Sequence, residues 1–235
     1  MSEKGVTLLE VLIAVSLLSL LSVAMFLALR IGLNGYTKAD ARLMDNRRAA
    51  GAQRILEEEI AGLIPVKALC GALEGRGGAP AVFIQGEPEV MRLVSTFSLQ
   101  EASRGQPQVL ELFVIPGEQG RGVRLVVNET LYTGPAGAGR FCLGPRQFLP
   151  VAAGPNSFVI ADKLAYCRFL YLAPPPSPTE PAPWKPVWIT QTWPLAVRIE
   201  MAPLDPSPAL VQPTSITVPI DLHRNPEIPY EDLAY

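Results

Sequence analysis

From Val6 to Leu29 the chain runs for 24 residues with one ionisable side chain, Glu10. No other feature limits the fold so strongly. At about 1.5 Å per residue a helix of this length reaches roughly 36 Å, enough to cross a hydrocarbon core of about 30 Å. Backbone amides in lipid must bond within their own segment, so the run is expected to be helical. Arg30 closes it and can place its charge at the interface. Glu10 is the exception that needs an explanation. A carboxylate in a membrane helix requires a partner or a function, unless it merely sits at headgroup level at the favourable end of the helix dipole.

Five residues, Met-Ser-Glu-Lys-Gly, precede the apolar run, and Glu10 is the fifth residue after Gly5. This arrangement resembles type IV prepilins: a short polar leader ending in Gly, then an apolar helix with Glu at its fifth position. The resemblance implies cleavage after Gly5 by a membrane-embedded prepilin peptidase and methylation of the new amine on Val6. It also implies that Glu10 pairs with the terminal amine of a neighbouring subunit during filament assembly. A buried carboxylate and a buried ammonium become tolerable only when matched. The first mature residue of the family is usually Phe, whereas this chain has Val6.

Two rivals for the N-terminus fit less well. A secretory signal needs a basic start, a short apolar core and a small-x-small cleavage site. Ser22-Val-Ala24 supplies the last, but Glu3 offsets Lys4, Glu10 falls inside the core, and the apolar run continues to Leu29. An uncleaved anchor requires neither Gly5 nor Glu10 at this spacing.

Beyond the membrane segment about 200 residues remain, enough for one sizeable core. The net charge of −2 gives no basic surplus, which argues against nucleic acid as a partner. Prolines (24) and glycines (19) are abundant and favour short strands joined by turns. Cys70, Cys142 and Cys167 with the single His223 lack zinc-site spacing, so no metal or other cofactor is expected. In an oxidising compartment one disulfide forms and one thiol remains. Cys142 with Cys167, both in the strand-rich half, is the expected pair, with three buried free thiols as the alternative.

Residues 30–64 read as the membrane helix continued into solvent, with a bend point at Asn34-Gly35 and a stop at Pro65. Ala49, Ala52, Leu56, Ile60 and Leu63 form one apolar stripe that calls for a sheet across it. Glu57-Glu58-Glu59 could hold a catalytic pair, but consecutive helical positions diverge, so a solvated face is expected. Residues 66–89 read as an irregular Gly-rich loop without a phosphate-binding signature, and Gly117–Gly122 as a hairpin connection.

Strands are expected at 90–97, 109–115 and 123–127, and in a second group at 158–160, 164–172, 195–201 and 215–220. Residues 173–186 are Pro-rich, either a polyproline ligand or an extended insertion anchored by Trp184, Trp188 and Trp193. The tail from Asn225 reads as a loosely held end.

The expected class is α+β with a pilin-like fold: a leader over 1–5, a transmembrane and assembly helix over 6–29, and a periplasmic head over 30–235. The order of elements resembles minor pseudopilins of type II secretion systems, above all the J-type subunits. The matching stretches are Arg54–Ile60, Met91–Phe97, Tyr166–Leu172, Trp193–Glu200 and Ile216–Ile220. That resemblance implies a non-enzymatic subunit, single-pass in the inner membrane. Its implied partners are I-type and K-type minor pseudopilins, the major pseudopilin, the peptidase and membrane lipid. Ser16, Ser19, Ser22, Gly32 and Gly35 would let helices approach closely. A minor pilin of a type IV pilus is the alternative within the class. A membrane-tethered enzyme or binding module is the alternative outside it, poorly supplied with catalytic bases.

Overall fold

The computed structural model describes residues 7–71, 78–99, 103–205 and 215–221. The chain divides into two compact units, Met1–Arg47 and Arg48–Tyr235. A single helix, α1 (Leu8–Ala61), contributes to both.

In the first unit α1 carries the apolar run, and its large hydrophobic side chains from Leu8 to Leu33 are exposed. The expected bend at Asn34-Gly35 does not break the helix, which continues through both residues. Nothing lies within 4 Å of a Cβ built at either Gly32 or Gly35.

In the second unit the end of α1 lies against a β-sheet. Among the described residues the sheet has eight strands. They are β3 (Gln85–Gly86), β4 (Val90–Ser98), β5 (Ser103–Pro116), β6 (Val123–Leu131), β9 (Phe158–Leu172), β10 (Trp184–Lys185), β11 (Ala196–Pro203) and β12 (Ser215–Pro219). The order is β12-β11-β9-β6-β5-β4-β3, with β10 added beside β9, and every pairing is antiparallel. The two expected strand groups are therefore one sheet, because β6 pairs directly with β9. The expected strands at 158–160 and 164–172 are one strand that continues through Lys163, whose φ is 56°.

Side chains alternate across the sheet. One face presents Met91, Leu93, Leu110, Leu112, Leu125, Val127, Phe169, Tyr171, Val197 and Ile199 to Leu56, Ile60 and Leu63. Leu56 and Ile60 are fully buried, and each contributes about 2 kcal/mol by leaving water. The stripe read from the sequence is thus the docking face. Its neighbour Glu59 is also buried, contrary to the solvated reading of Glu57–Glu59. Glu59 lies three positions after Leu56 and one before Ile60, so the helical period turns it inward while Glu57 stays exposed.

The helix stops at Ala61, before Pro65, because the chain must meet the sheet closely there. Gly62 accepts the backbone N–H of Thr96 at 2.9 Å, and a Cβ on it would lie 2.5 Å from Ser95 Oγ. The next N–H but one, that of Ile64, is donated to Val94 at 2.8 Å.

The opposite face of β4 and β5 carries a second, smaller core. The hairpin β1 (Lys67–Cys70) with β2 (Ala79–Val82), the short helix α2 (Gly134–Ala138), and the ribbon β7 (Cys142–Gly144) with β8 (Gln147–Phe148) bring Ala68, Phe83, Ala138 and Cys142 together with Val94 and Val109. The stretch 66–89 is thus partly strand rather than one irregular loop.

Here the expected disulfide is corrected. Cys142 bonds Cys70, with a Cα–Cα distance of 5.1 Å, and Cys167 is a buried free thiol. Cys142 belongs to the smaller core, whereas Cys167 packs with Phe169 and Tyr171 on the helix-side face. The sheet separates them.

The connection at Gly117–Gly122 is the hairpin expected: Gly117 donates to Gly122 at 2.9 Å, and positive φ at Gln119, Gly120 and Gly122 turns the chain. The Pro-rich stretch is an insertion, closed at its base by the Ala173 N–H donated to Pro183 at 2.9 Å. Trp188 and Trp193 are buried, and Trp184 covers the Arg198 guanidinium at 4.0 Å, so the three anchor it as expected.

Candidate functional site

The candidate site is the start of α1. The backbone N–H of Glu10 donates to Thr7 O at 3.0 Å and to Thr7 Oγ1 at 3.3 Å. Thr7 therefore caps the helix, its hydroxyl giving an amide of the first turn a second acceptor. This residue went unremarked in the sequence, although Thr7-Leu-Leu-Glu10 is the Thr-x-x-Glu pattern of a capping box before an apolar run.

Glu10 sits in the first turn, where the dipole favours an anion. Its side chain is exposed, between Leu9 and Val11, which are exposed as well. Among the described residues its carboxylate has neither a hydrogen bond nor an ion pair. Gly5 and Val6 lie outside the described residues.

The remaining polar side chains of the apolar stretch look after themselves. The hydroxyls of Ser16, Ser19 and Ser22 donate to the carbonyls of Ile13, Ser16 and Leu18, each at 2.8 Å. Such back-bonding leaves no free donor for lipid to exclude. The surface is thus apolar, self-satisfied and marked at one end by an acid that has no partner among the described residues.

The head offers polar networks instead. Arg92, almost wholly buried, donates through Nε to Glu111 at 2.6 Å, through Nη1 to Gln85 at 2.5 Å and through Nη2 to Leu149 O at 2.6 Å. Asn128 Nδ2 donates to Glu111 Oε2 and to Ala152 O, both at 3.1 Å, and Ser157 Oγ donates to Asn128 Oδ1 at 2.5 Å. The network ties the stretch from Leu149 to Ser157 down onto the sheet. Every one of these groups is engaged in bonding another, which suits architecture.

Burial pushes the Cys167 thiol up to about 12, the Glu89 charge adding to it, so it is held as the neutral thiol and is a poor nucleophile. His223 lies outside the described residues. Among the described residues no three His, Cys, Asp or Glu side chains gather as a metal site.

Residues 1–26 match the family described as the prokaryotic N-terminal methylation motif. No curated protein matches the chain. The match covers residues 1–5, the cap at Thr7, Glu10 and most of the apolar run. Together with the apolar helix it indicates a type IV prepilin-like protein with a pilin-type structural role and one membrane-anchoring helix.

Proposed function

We propose that this chain is a structural minor pseudopilin that helps initiate or cap the short filament of a type II secretion system. The peptidase removes residues 1–5 and Val6 is methylated. Residues 6–29 then hold the protein in the inner membrane, with the head, 30–235, in the periplasm.

The observation that carries the proposal is a Glu10 carboxylate with no partner among the described residues, on an exposed apolar helix of membrane length. An acid costs about 3 kcal/mol at the bilayer centre on lenient insertion scales, and less toward the end of the span where Glu10 lies. A methylated ammonium on the next subunit removes that cost and selects the register of the two helices. Assembly is thereby coupled to processing, since the amine appears only after cleavage. The partners are the I-type and K-type minor pseudopilins and, below them, the major pseudopilin.

The finer assignment rests on the sequence stretches that resemble J-type subunits, which lie in the helix and strands of the head. Arg54–Ile60 is in the docking part of α1, Met91–Phe97 in β4, Tyr166–Leu172 in β9, Trp193–Glu200 mostly in β11, and Ile216–Ile220 mostly in β12. A minor pilin of a type IV pilus would use the same N-terminal chemistry. Co-purification with secretion or with pilus components separates the two.

Replacing Glu10 by Ala in the full chain tests the proposal. The variant should be cleaved and should form its Cys70–Cys142 bond, yet be missing from cross-linked assemblies with the other pseudopilins. Incorporation equal to that of the native chain contradicts the role given to Glu10.

A further inference from the structure

Among the described residues of the head Glu59 is the one carboxyl group that is buried completely, and neither of its oxygens has a hydrogen-bond partner. It projects from the docking face of α1, between Leu56 and Ile60. Opposite it stands Glu129 of β6, on the same sheet face as Leu125 and Val127 and paired in register with Leu110. The Glu129 carboxyl is the neighbour that bears on it, by its charge and as a hydrogen-bond acceptor once a proton is present. Two ionised carboxylates cannot occupy such a place: both only accept, and like charges in a dry site repel.

The two groups differ in the donors they meet. Glu129 accepts the Leu99 backbone N–H at 2.5 Å and the Ser98 hydroxyl at 3.1 Å, from the turn after β4 and from its last residue. Glu59 accepts from none. On α1, Glu57 is engaged by Gln53 at 2.9 Å and Glu58 by Arg54 at 2.8 Å, on the side turned away from the core. Glu111 of β5 points to the opposite face, where it meets Arg92. The helix-side residues of β4, β5 and β6 in the rows beside Glu129 (Leu93, Leu110 and Val127) are apolar. Among the described residues the charge that acts on Glu59 is that of Glu129.

We infer that Glu59 is protonated and donates this proton to Glu129, so that one shared proton fastens the end of α1 to strand β6 and the docking weakens as the pH rises. Burial, then the charge of Glu129 and the bond to it, push the Glu59 carboxyl up to about 9. Unfolded, it would titrate in the ordinary range near 4.5. Between these values the folded chain holds one more proton than the unfolded chain. Stability is then greatest at the acidic end and falls with rising pH until the group ionises in the folded state as well. The device lies where the end of α1 docks on the sheet of the head, so alkali should loosen that docking.

The test uses the full chain in detergent micelles, unfolded by denaturant at a series of pH values. The unfolding constant of the native chain should rise about tenfold per pH unit between about pH 5 and pH 9, the slope of one proton. Glu59→Gln, which keeps a donor for Glu129, should remove most of that slope and be more stable than the native chain at pH 8. A folding-independent reading comes from carboxyl ¹³C resonances of the native chain labelled at Glu: one should titrate near pH 9. A flat or rising stability over this range, or titration of every Glu carboxyl below pH 7, overturns the inference.

Discussion

Arg92 and Glu111 stand directly opposite each other on β4 and β5, their side chains joined at 2.6 Å inside the head. The pair is buried beneath the stretch from Leu149 to Ser157, with Gln85, Asn128 and the Leu149 carbonyl completing its bonds. Breaking such a pair costs far more than its net contribution, because the remaining partner is left charged and dry.

Arg92→Leu should therefore destabilise the head by about 3–5 kcal/mol in denaturant unfolding, the range for an uncompensated buried charge. Arg92→Lys should recover only part of this, since an ammonium cannot reproduce the three directed bonds of the guanidinium. Equal stability of the Leu variant and the native chain would contradict the reading of this network as a structural clamp.

The Cys70–Cys142 bond closes a sequence separation of 72 residues around the smaller core. On the loop-closure account its removal costs about 4 kcal/mol. Cys70→Ala should show this loss in unfolding measurements without a reductant. Under reductant the variant and the native chain should differ little.

Cys167 should be the single thiol to react with a maleimide, and only once the protein unfolds. Its burial and raised pKa both withhold the thiolate from reagent. Intact mass before and after denaturation reads the result. Rapid labelling of the folded chain at pH 7 would contradict the placement.

Gly62 marks the turn from α1 into the sheet, where space rather than positive φ demands glycine. A methyl group there meets Ser95 Oγ at 2.5 Å and Phe97 N at 3.2 Å. Gly62→Ala should cost about 1–3 kcal/mol, as overpacking does. Adding Ser95→Gly should return part of the loss, a coupling that a double-mutant cycle measures.

The parts of this fold legible in the sequence are those where one strong period acts alone. Leu56, Ile60 and Leu63 show a helical stripe, and Val109–Ile115 with Val123–Val127 show strands bounded by turn residues. Where two signals overlap, the reading fails. Glu59 hides inside a run of three Glu, and only its phase relative to Leu56 and Ile60 tells that it faces inward. Strand β9 reads as two strands because Lys163 interrupts its pattern at a left-handed residue. Cys70 sits in a Gly-rich stretch whose strands are four residues each, too short to carry a period, so its partnership with Cys142 left no trace. At the N-terminus the spacing of Gly5 and Glu10 was plain, while the cap at Thr7 was obscured by the apolar run that follows it.

The proposed role requires processing at Gly5 and an amine that Glu10 can meet. Intact-mass and N-terminal peptide mass spectrometry of the chain, expressed in a cell that carries a prepilin peptidase, tests this most directly. The predicted result is a mature protein beginning with Val6 and bearing one methyl group on its amine. A chain that keeps Met-Ser-Glu-Lys-Gly, or that begins after Ala24, would contradict it.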